Sequence, residues 1–146
     1  GFRGRIGVLS IDVDGNDYWL WKAVNVISPD LVVIEYNASF GSARAITVPY
    51  DPGFVRYQQH ESGLYHGALL KALEILGGQK GYVLVGCDSS GVNAFFIKKQ
   101  LVCEAIPASD TGHVFKDHRS RVKYKKLSPQ QQWLTVAGMS YVEIRE

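Results

Sequence analysis

An apolar, β-branched run leads directly into a group of acidic side chains near the start of the sequence. The run spans residues 6–11, and polar residues and one glycine follow it at once: Asp12, Asp14, Gly15, Asn16 and Asp17. Short continuous apolar runs are typical of buried strands. In open α/β sheets, ligands bind just beyond the carboxyl ends of such strands. This stretch therefore predicts a central strand, a functional turn and a helix capped by Asn16 or Asp17.

The same pattern occurs a second time, after the predicted helix. Residues 31–34 are apolar, and Glu35 and Asn37 follow them. A strand–helix–strand order of this length fits a right-handed βαβ unit, in which the two strands are parallel. Because parallel strands end at the same edge of a sheet, we expect Glu35 and Asn37 to lie near Asp12 and Asp14.

The rest of the sequence predicts a mixed α/β protein. Residues 38–63 have no sustained period and predict a long loop, and such loops often cover a binding site. The other predicted elements are an amphipathic helix over 64–76 closed by Gly77 and Gly78, a hairpin of strands 82–87 and 92–97, a helix that starts at Ser128–Pro129, and a short strand near 141–144. We divide the chain into an α/β unit, residues 1–103, and a basic C-terminal extension, residues 104–146, that packs on it.

Composition limits the class of protein. A chain of 146 residues that is 46% hydrophobic can form one domain with its own core. Its formal net charge of +2 indicates no obligate polyanion, so no specific nucleic-acid partner is expected. Six basic residues lie between Lys116 and Lys126, and a solvated surface explains them more simply than a phosphate or membrane partner.

Two further features bear on location. No apolar run reaches the ~18 residues that a membrane span needs, and no signal peptide is visible. Cys87 and Cys103 lack the spacing of a metal site and are expected to be reduced thiols. We therefore expect a cytoplasmic protein with no membrane partner.

The residues at the strand ends suggest a site for a hard cation. Asp12, Glu35 and Asn37 offer oxygen ligands that suit Mg²⁺ or Ca²⁺ and suit zinc poorly. Asp12 and Asp14 could also act in catalysis. The alternative is structural: the acidic residues cap the helix and shape the turn, while Glu35 pairs with a base. His66 is a candidate general base, with a polar surface position as its alternative.

Three segments together resemble a known family. They are Leu9–Tyr18 (LSIDVDGNDY), Val33–Asn37 (VIEYN) and Gly86–Phe96 (GCDSSGVNAFF). They resemble the carboxyl-terminal half of FkbM-like, class I S-adenosylmethionine-dependent methyltransferases, whose fourth strand ends in a similar Asp-x-(Asp/Glu)-Gly motif and whose last two strands form a hairpin. The match covers roughly residues 6–103. It implies a partial Rossmann-like, methyltransferase-type sheet of about four strands, with both parallel and antiparallel pairs, a C-terminal hairpin and helices on its faces.

The resemblance also implies ligands and site residues. Metal-dependent relatives hold Mg²⁺ at the positions that correspond to Asp12, Glu35 and Asn37. We place substrate or ligand contacts at four further residues: Asn16, Tyr36, Tyr65 and Asp88. The glycine-rich loop and acidic residue that bind S-adenosylmethionine belong to the family's first half, so we expect cofactor binding only where that half is present.

The expected position of the first strand suggests a partner. If a strand that is central in the family lies at an edge here, its unpaired backbone groups favour pairing with another chain. We expect a homo-oligomer through residues 6–11 or through Trp19 and Trp21. Three functions remain open: an O-methyltransferase-like enzyme as part of a longer chain, a stand-alone module that binds a small ligand, and an oligomerisation or interaction module.

Overall fold

The structure is a computed structural model that describes residues 1–145. Its strands are β1 (Gly4–Ile11), β2 (Ile27–Glu35), β3 (Ile46–Thr47), β4 (Tyr82–Cys87), β5 (Asn93–Lys98) and β6 (Val142–Glu143). Its α-helices are α1 (Asp17–Ala23), α2 (Arg56–Gln59), α3 (Leu70–Gln79), α4 (Thr111–Val114) and α5 (Pro129–Val136). Short 3₁₀ turns cover Ala38–Phe40 and Lys99–Leu101, and one π-helical turn covers Ser120–Tyr124.

Four strands form the main sheet in the order β1-β2-β5-β4. β1 and β2 are parallel, whereas β5 is antiparallel to both of its neighbours. The predicted parallel pair, the predicted hairpin and the predicted mixed sheet of four strands are therefore confirmed. β3 and β6 form a separate antiparallel pair. The carboxyl ends of β1 and β2 meet at one edge, with Ile11 opposite Ile34.

The core lies where α1 and α3 pack against one face of the main sheet. Alternate strand residues face it, among them Val32, which is paired with Phe96. Trp21 of α1 packs on Phe96 with the rings tilted and their centroids 4.9 Å apart, and a Cβ on Gly77 of α3 would lie only 3.0 Å from the Phe96 ring. Gly77 thus lets α3 approach the sheet closely.

This packing corrects the expected use of one of the two tryptophans, Trp21, at an interface. The Trp21 side chain is 1% exposed, so it cannot contact a partner while the chain keeps this fold. Trp19 is partly buried, and its indole N–H donates to the carbonyl of Val48 at 2.9 Å. Close packing of α1 on the sheet buries Tyr18 and Trp21 within the chain, where each stabilises the fold by about 1.5–3 kcal/mol.

The predicted helix over residues 64–76 starts too early. α3 begins at Leu70, and residues 64–69 lie extended beside β3, with backbone hydrogen bonds from Val48 to Gly67 and from Leu69 to Ile46. Gly67 has a φ of +60°, which interrupts any helix there. Leu64, Tyr65 and Leu69 of this segment pack in a second core, so the apolar pattern reflects burial of an extended segment and not one face of a helix. Gly77 and Gly78 lie inside α3, which ends at Gln79.

The predicted boundary before β2 is also wrong. The apolar run predicts that β2 begins at Leu31, but α1 ends at Ala23 and β2 begins at Ile27, so Ser28 and Pro29 lie within β2 in register with Arg5 and Ile6. β5 pairs with β2 only from Leu31 onward, so Pro29 has no strand on that side and its missing N–H removes no bond to β5.

The C-terminal part, from residue 104 onward, makes several contacts with the α/β unit. β6 pairs with β3, and α5 packs on the 3₁₀ turn Ala38–Phe40. Ser128 and Gln131 form a capping box at the start of α5, as the Ser128–Pro129 pattern predicts. Both cysteines are free thiols. Within residues 1–145, no helix combines the length and the apolar character that crossing a bilayer requires.

Candidate functional site

Three carboxylates meet at the edge where β1 and β2 end. Asp12 follows β1, Asp17 begins α1 and Glu35 ends β2, and one oxygen from each lies within 4.8 Å of the others. Asp17 and Glu35 are buried, whereas Asp12 is exposed. The βαβ connection produces this arrangement because it returns the chain to the same edge after one helix. Divalent cations bind such groups of oxygen ligands in proteins.

The turn between β1 and α1 is held in shape by Asp17. One of its carboxylate oxygens accepts the N–H of Val13 and the other accepts the N–H of Gly15, both at 3.0 Å. Asp14 has a φ of +59°, which is unusual for a residue other than glycine. A Cβ on Gly15 would overlap the ring of Phe54. The acidic turn is therefore a fixed structure, with its shape set by local hydrogen bonds and by the loop above it.

The electrostatics of the three carboxylates are unfavourable when they stand alone. Burial, together with the charges of Asp17 and Asp12, raises the pKa of Glu35 to about 8. Burial also raises the pKa of Asp17, although the N–H groups of Val13 and Gly15 act in the opposite direction. The Oε2 atom of Glu35 is buried and has no hydrogen-bond partner among the described residues. A positive charge between these groups would remove the repulsion.

His66 lies beside Glu35, and its side chain is 1% exposed. Its Nδ1 atom is 3.7 Å from Glu35 Oε2 and is the other buried polar side-chain atom without a partner in residues 1–145. Burial, followed by the charges of Arg56 and Arg121, lowers the pKa of His66 well below its ordinary value. His66 is therefore a neutral imidazole in the interior, and the surface alternative does not describe it.

Arg121, from the π-helical turn Ser120–Tyr124, reaches the same interior region. Its Nη2 atom is 3.1 Å from Nε2 of His66, and its Nη1 atom donates to Oδ1 of Asn37 at 3.2 Å and to Oγ of Ser39 at 2.6 Å. The Ser39 hydroxyl donates in turn to Oε1 of Gln132 at 2.8 Å. Burial lowers the pKa of Arg121 to about 10, so it stays charged at neutral pH.

The long segment between residues 38 and 63 flanks the acidic turn. The side-chain amide of Asn16 donates to the carbonyl of Asp51 at 2.8 Å. Arg56, at the start of α2, donates to Asp14 Oδ1 at 2.8 Å and to the carbonyl of Gly63 at 2.7 Å. Asp14 thus pairs with a guanidinium at the rim of the site, and Asn16 anchors the flanking loop.

The other residues selected from the sequence make structural contacts. Both amide hydrogens of Asn37 donate to backbone carbonyls, those of Leu64 and His66, and its Oδ1 accepts from Ser39 N–H and from Arg121. The hydroxyls of Tyr36 and Tyr65 donate to the carbonyls of Lys116 and Ser140. Asp88 accepts from residues 92 and 93 of the hairpin turn.

Sequence reasoning missed two members of this region. The sequence predicts Asn16 or Asp17 as the cap of the first helix, but α1 has no side-chain cap hydrogen bond and begins at Asp17. The hydrogen bonds of Asp17 to the turn agree with a local structural role, but its carboxylate also belongs to the cluster. Arg121 lies in the basic segment between Lys116 and Lys126, and no signal in the sequence distinguishes it from its exposed neighbours.

Comparison of the chain with protein-family models, with curated proteins and with solved structures finds no match. The chemistry of the site must therefore be inferred from its own residues.

Proposed function

We propose that the chain binds a divalent cation through Asp12, Asp17 and Glu35, as the acceptor-side half of a methyltransferase-type domain. The observation that carries the proposal is the meeting of the three carboxylates within 4.8 Å, two of them buried. The unpartnered Oε2 of Glu35 and the nearby unpartnered Nδ1 of His66 support it, because buried polar atoms in native proteins nearly always have a partner. The site fits a cation on the donor chemistry alone.

The donor set favours a hard cation such as Mg²⁺, Mn²⁺ or Ca²⁺. All three groups offer carboxylate oxygen, and no cysteine belongs to the cluster. Asp12 is the exposed member, so it would bind the cation from the solvent side, and the buried Asp17 and Glu35 would bind it from the protein side. In this role Asn37 is a supporting residue, since its amide already binds four groups.

The chemistry proposed for the site concerns a hydroxyl group of an acceptor molecule. A bound divalent cation lowers the pKa of a hydroxyl oxygen in contact with it. The chain's own contribution would be orientation: Arg56 holds Asp14 at the rim, and Asn16 fixes the flanking loop through Asp51. Both contacts restrict how an acceptor can approach the three carboxylates.

S-adenosylmethionine, which the family resemblance implies, does not fit the residues described. Among residues 1–145, no strand leads through a glycine-rich turn into a helix, and the turn between β1 and α1 carries carboxylates instead. Anionic side chains at that point offer no cradle of backbone N–H groups for the cofactor. We therefore derive no methyl-transfer step, and the proposal is limited to cation binding and acceptor orientation.

Calorimetric titration tests the proposal. We expect Mg²⁺ or Mn²⁺ to bind, and Asp17→Asn to weaken the affinity by at least about tenfold because one of three ligands loses its charge. Asp30→Asn is the matched control, since Asp30 pairs with Arg5 and Lys98 away from the cluster. Absence of binding by the wild-type chain up to about 10 mM cation, about ten times the dissociation constant of the weakest protein calcium sites, would refute the site. In a second titration with S-adenosylmethionine we expect no heat.

A second candidate function is self-association through the edge of the main sheet. β1 pairs with β2 alone, so its other side has no strand partner in residues 1–145. Val8 of β1 is 57% exposed. Antiparallel pairing of β1 with a second copy, centred between Gly7 and Val8, would place Arg5 opposite Ser10 and avoid like-charge contacts.

Light scattering tests the second candidate. We expect a homodimer at micromolar concentration and a monomer for Val8→Lys, because a lysine on an edge strand opposes strand pairing. Leu134→Lys is the control: Leu134 is 66% exposed on α5, outside the main sheet, so this variant should keep the wild-type mass. A monomeric wild-type chain would exclude self-association by this edge.

A further inference from the structure

The contact between Arg121 and His66 determines where the imidazole carries its proton. A guanidinium has N–H donors and no acceptor. In the 3.1 Å contact between Arg121 Nη2 and His66 Nε2, the imidazole nitrogen must therefore accept. A neutral imidazole has one protonated and one unprotonated nitrogen, so the proton of His66 lies on Nδ1. The pairing of the side chains thus selects one tautomer.

The protonated Nδ1 atom faces the carboxylate cluster. Glu35 Oε2 lies 3.7 Å away, and these two are the buried side-chain atoms without a partner in the part of the chain that the structure describes. The separation exceeds a hydrogen-bond length by less than 1 Å. A small movement of the Glu35 side chain would close it, and site contacts of this kind often shorten when a ligand binds.

Hydrogen bonds to neutral side chains hold Arg121 in this position. Its Nη1 atom binds Asn37 Oδ1 and Ser39 Oγ, and Ser39 is held by Gln132. Among residues 1–145 no carboxylate lies within 4.0 Å of the guanidinium. Burying a guanidinium without a carboxylate partner costs free energy, and hydrogen bonds to neutral partners offset part of that cost. The Nη2 group of Arg121 thus donates to Nε2 of His66, and Nδ1 of His66 faces Oε2 of Glu35.

We propose that Arg121 and His66 are positioning residues that orient the Glu35 carboxylate for the cation, with Nδ1–H of His66 as the directed donor. The proposal rests on the cation site put forward above. It also excludes His66 as a general base acting through Nε2, because that lone pair accepts from Arg121. Ligating carboxylates in proteins are commonly held by such outer hydrogen bonds, and removal of one typically costs 10–100-fold in metal affinity.

The first test reads the tautomer directly in the wild-type chain. Nitrogen-15 NMR of labelled histidine, recorded in EDTA, should show His66 protonated on Nδ1 and unprotonated on Nε2. This measurement needs no cation, so it is independent of whether the cation site exists. A His66 signal protonated on Nε2 would overturn the proposal, whatever the outcome of the cation titrations.

The second test compares cation affinities of variants. His66→Leu removes the donor and should weaken Mn²⁺ binding by about 10–100-fold. His66→Asn restores an N–H near the position of Nδ1 and should bind Mn²⁺ about tenfold more tightly than His66→Leu. If His66 acts only in packing, the two variants should bind Mn²⁺ with equal affinity. That result would contradict a hydrogen-bond donor at Nδ1. His113→Asn, at an exposed histidine paired with Asp110, is the control and should bind as the wild type does.

The outcomes separate the two proposals. Protonation on Nδ1 together with a loss of affinity in His66→Leu and a rescue in His66→Asn supports both. If the wild-type chain binds no cation, the proposed function fails, and the positioning role for a cation fails with it. If the wild type binds Mn²⁺ while His66→Leu binds equally well, the cation site stands and the positioning role alone is refuted.

Discussion

Glu35→Gln is expected to make the chain more stable at alkaline pH and, at the same time, to weaken cation binding by at least about tenfold. The folded state raises the pKa of Glu35 from an ordinary value of 4.5 to about 8. Between these values the folded chain keeps a proton that the unfolded chain has released. The stability that Glu35 contributes is therefore fully present below pH 4.5 and is lost as the pH rises toward 8.

The size of this effect follows from the same linkage. Each pH unit between the two pKa values costs about 1.4 kcal/mol, so the wild type loses about 3 kcal/mol by pH 7 as an upper bound. A neutral glutamine does not titrate and avoids this loss. Urea denaturation in EDTA at pH 4.5, 7 and 8.5 measures it: the advantage of Glu35→Gln should grow with pH and disappear near pH 4.5.

Asp30→Asn provides a control of opposite sign. Hydrogen bonds from Arg5 and Lys98 lower the pKa of Asp30, so its charged form favours folding above its ordinary pKa and the variant should be less stable at neutral pH. Addition of Mg²⁺ should stabilise the wild type and leave Glu35→Gln nearly unchanged. A Glu35→Gln chain that is less stable than the wild type at every pH would contradict the electrostatic account of the cluster.

Gly91→Ala is expected to destabilise the chain by about 3 kcal/mol, through strain and overlap together. Gly91 has a φ of +72°, where a residue with a Cβ costs about 1–2 kcal/mol. A Cβ there would also overlap the backbone carbonyl of Asp117, which cannot move as a flexible side chain would. The hairpin turn and the segment that carries Arg121 would have to separate.

Gly78→Ala is the matched control for this substitution. Gly78 lies inside α3, and a Cβ there would meet no atom within 4 Å. Alanine favours helix over glycine, so this variant should be more stable than the wild type by about 0.5–1 kcal/mol. Urea denaturation followed by circular dichroism measures both variants. A Gly91→Ala chain as stable as the wild type would show that the turn and residues 116–117 are not in tight contact.

The parts of the fold that follow from local pattern could be predicted from the sequence. The apolar runs that end at Ile11 and Ile34, separated by one helix, predict a parallel pair, and the two runs around Gly91 predict a hairpin. The start of α3 could not be predicted in this way. Leu64 and Leu69 belong to an apolar pattern with three- and four-residue intervals that continues to Leu76, but they fill the second core from an extended segment, and only pairing with β3 decides between the two conformations.

The candidate site likewise contains residues that local pattern predicts and residues that only tertiary packing brings together. Asp12 and Glu35 were expected at one edge because parallel strands end together. The position of Asp17 in the sequence is typical of a helix cap, and no pattern there indicates that its carboxylate joins theirs and accepts the N–H groups of Val13 and Gly15. Arg121 reaches Asn37 across 84 residues, and no local pattern reports a contact at that separation. Such contacts depend on tertiary packing, which single-sequence reasoning does not resolve.

These long separations have a consequence for the order in which the molecule assembles during synthesis. The bonds that fix Arg121 and Gln132 on Ser39 span 82 and 93 residues, whereas the four main strands are complete once Lys98 has been made. Contacts between distant residues form late, because loop closure must precede them. The sheet and its three carboxylates can therefore form before Arg121 is in place. The last third of the chain then supplies Arg121 and Gln132, which fix His66 and Ser39 behind the carboxylates.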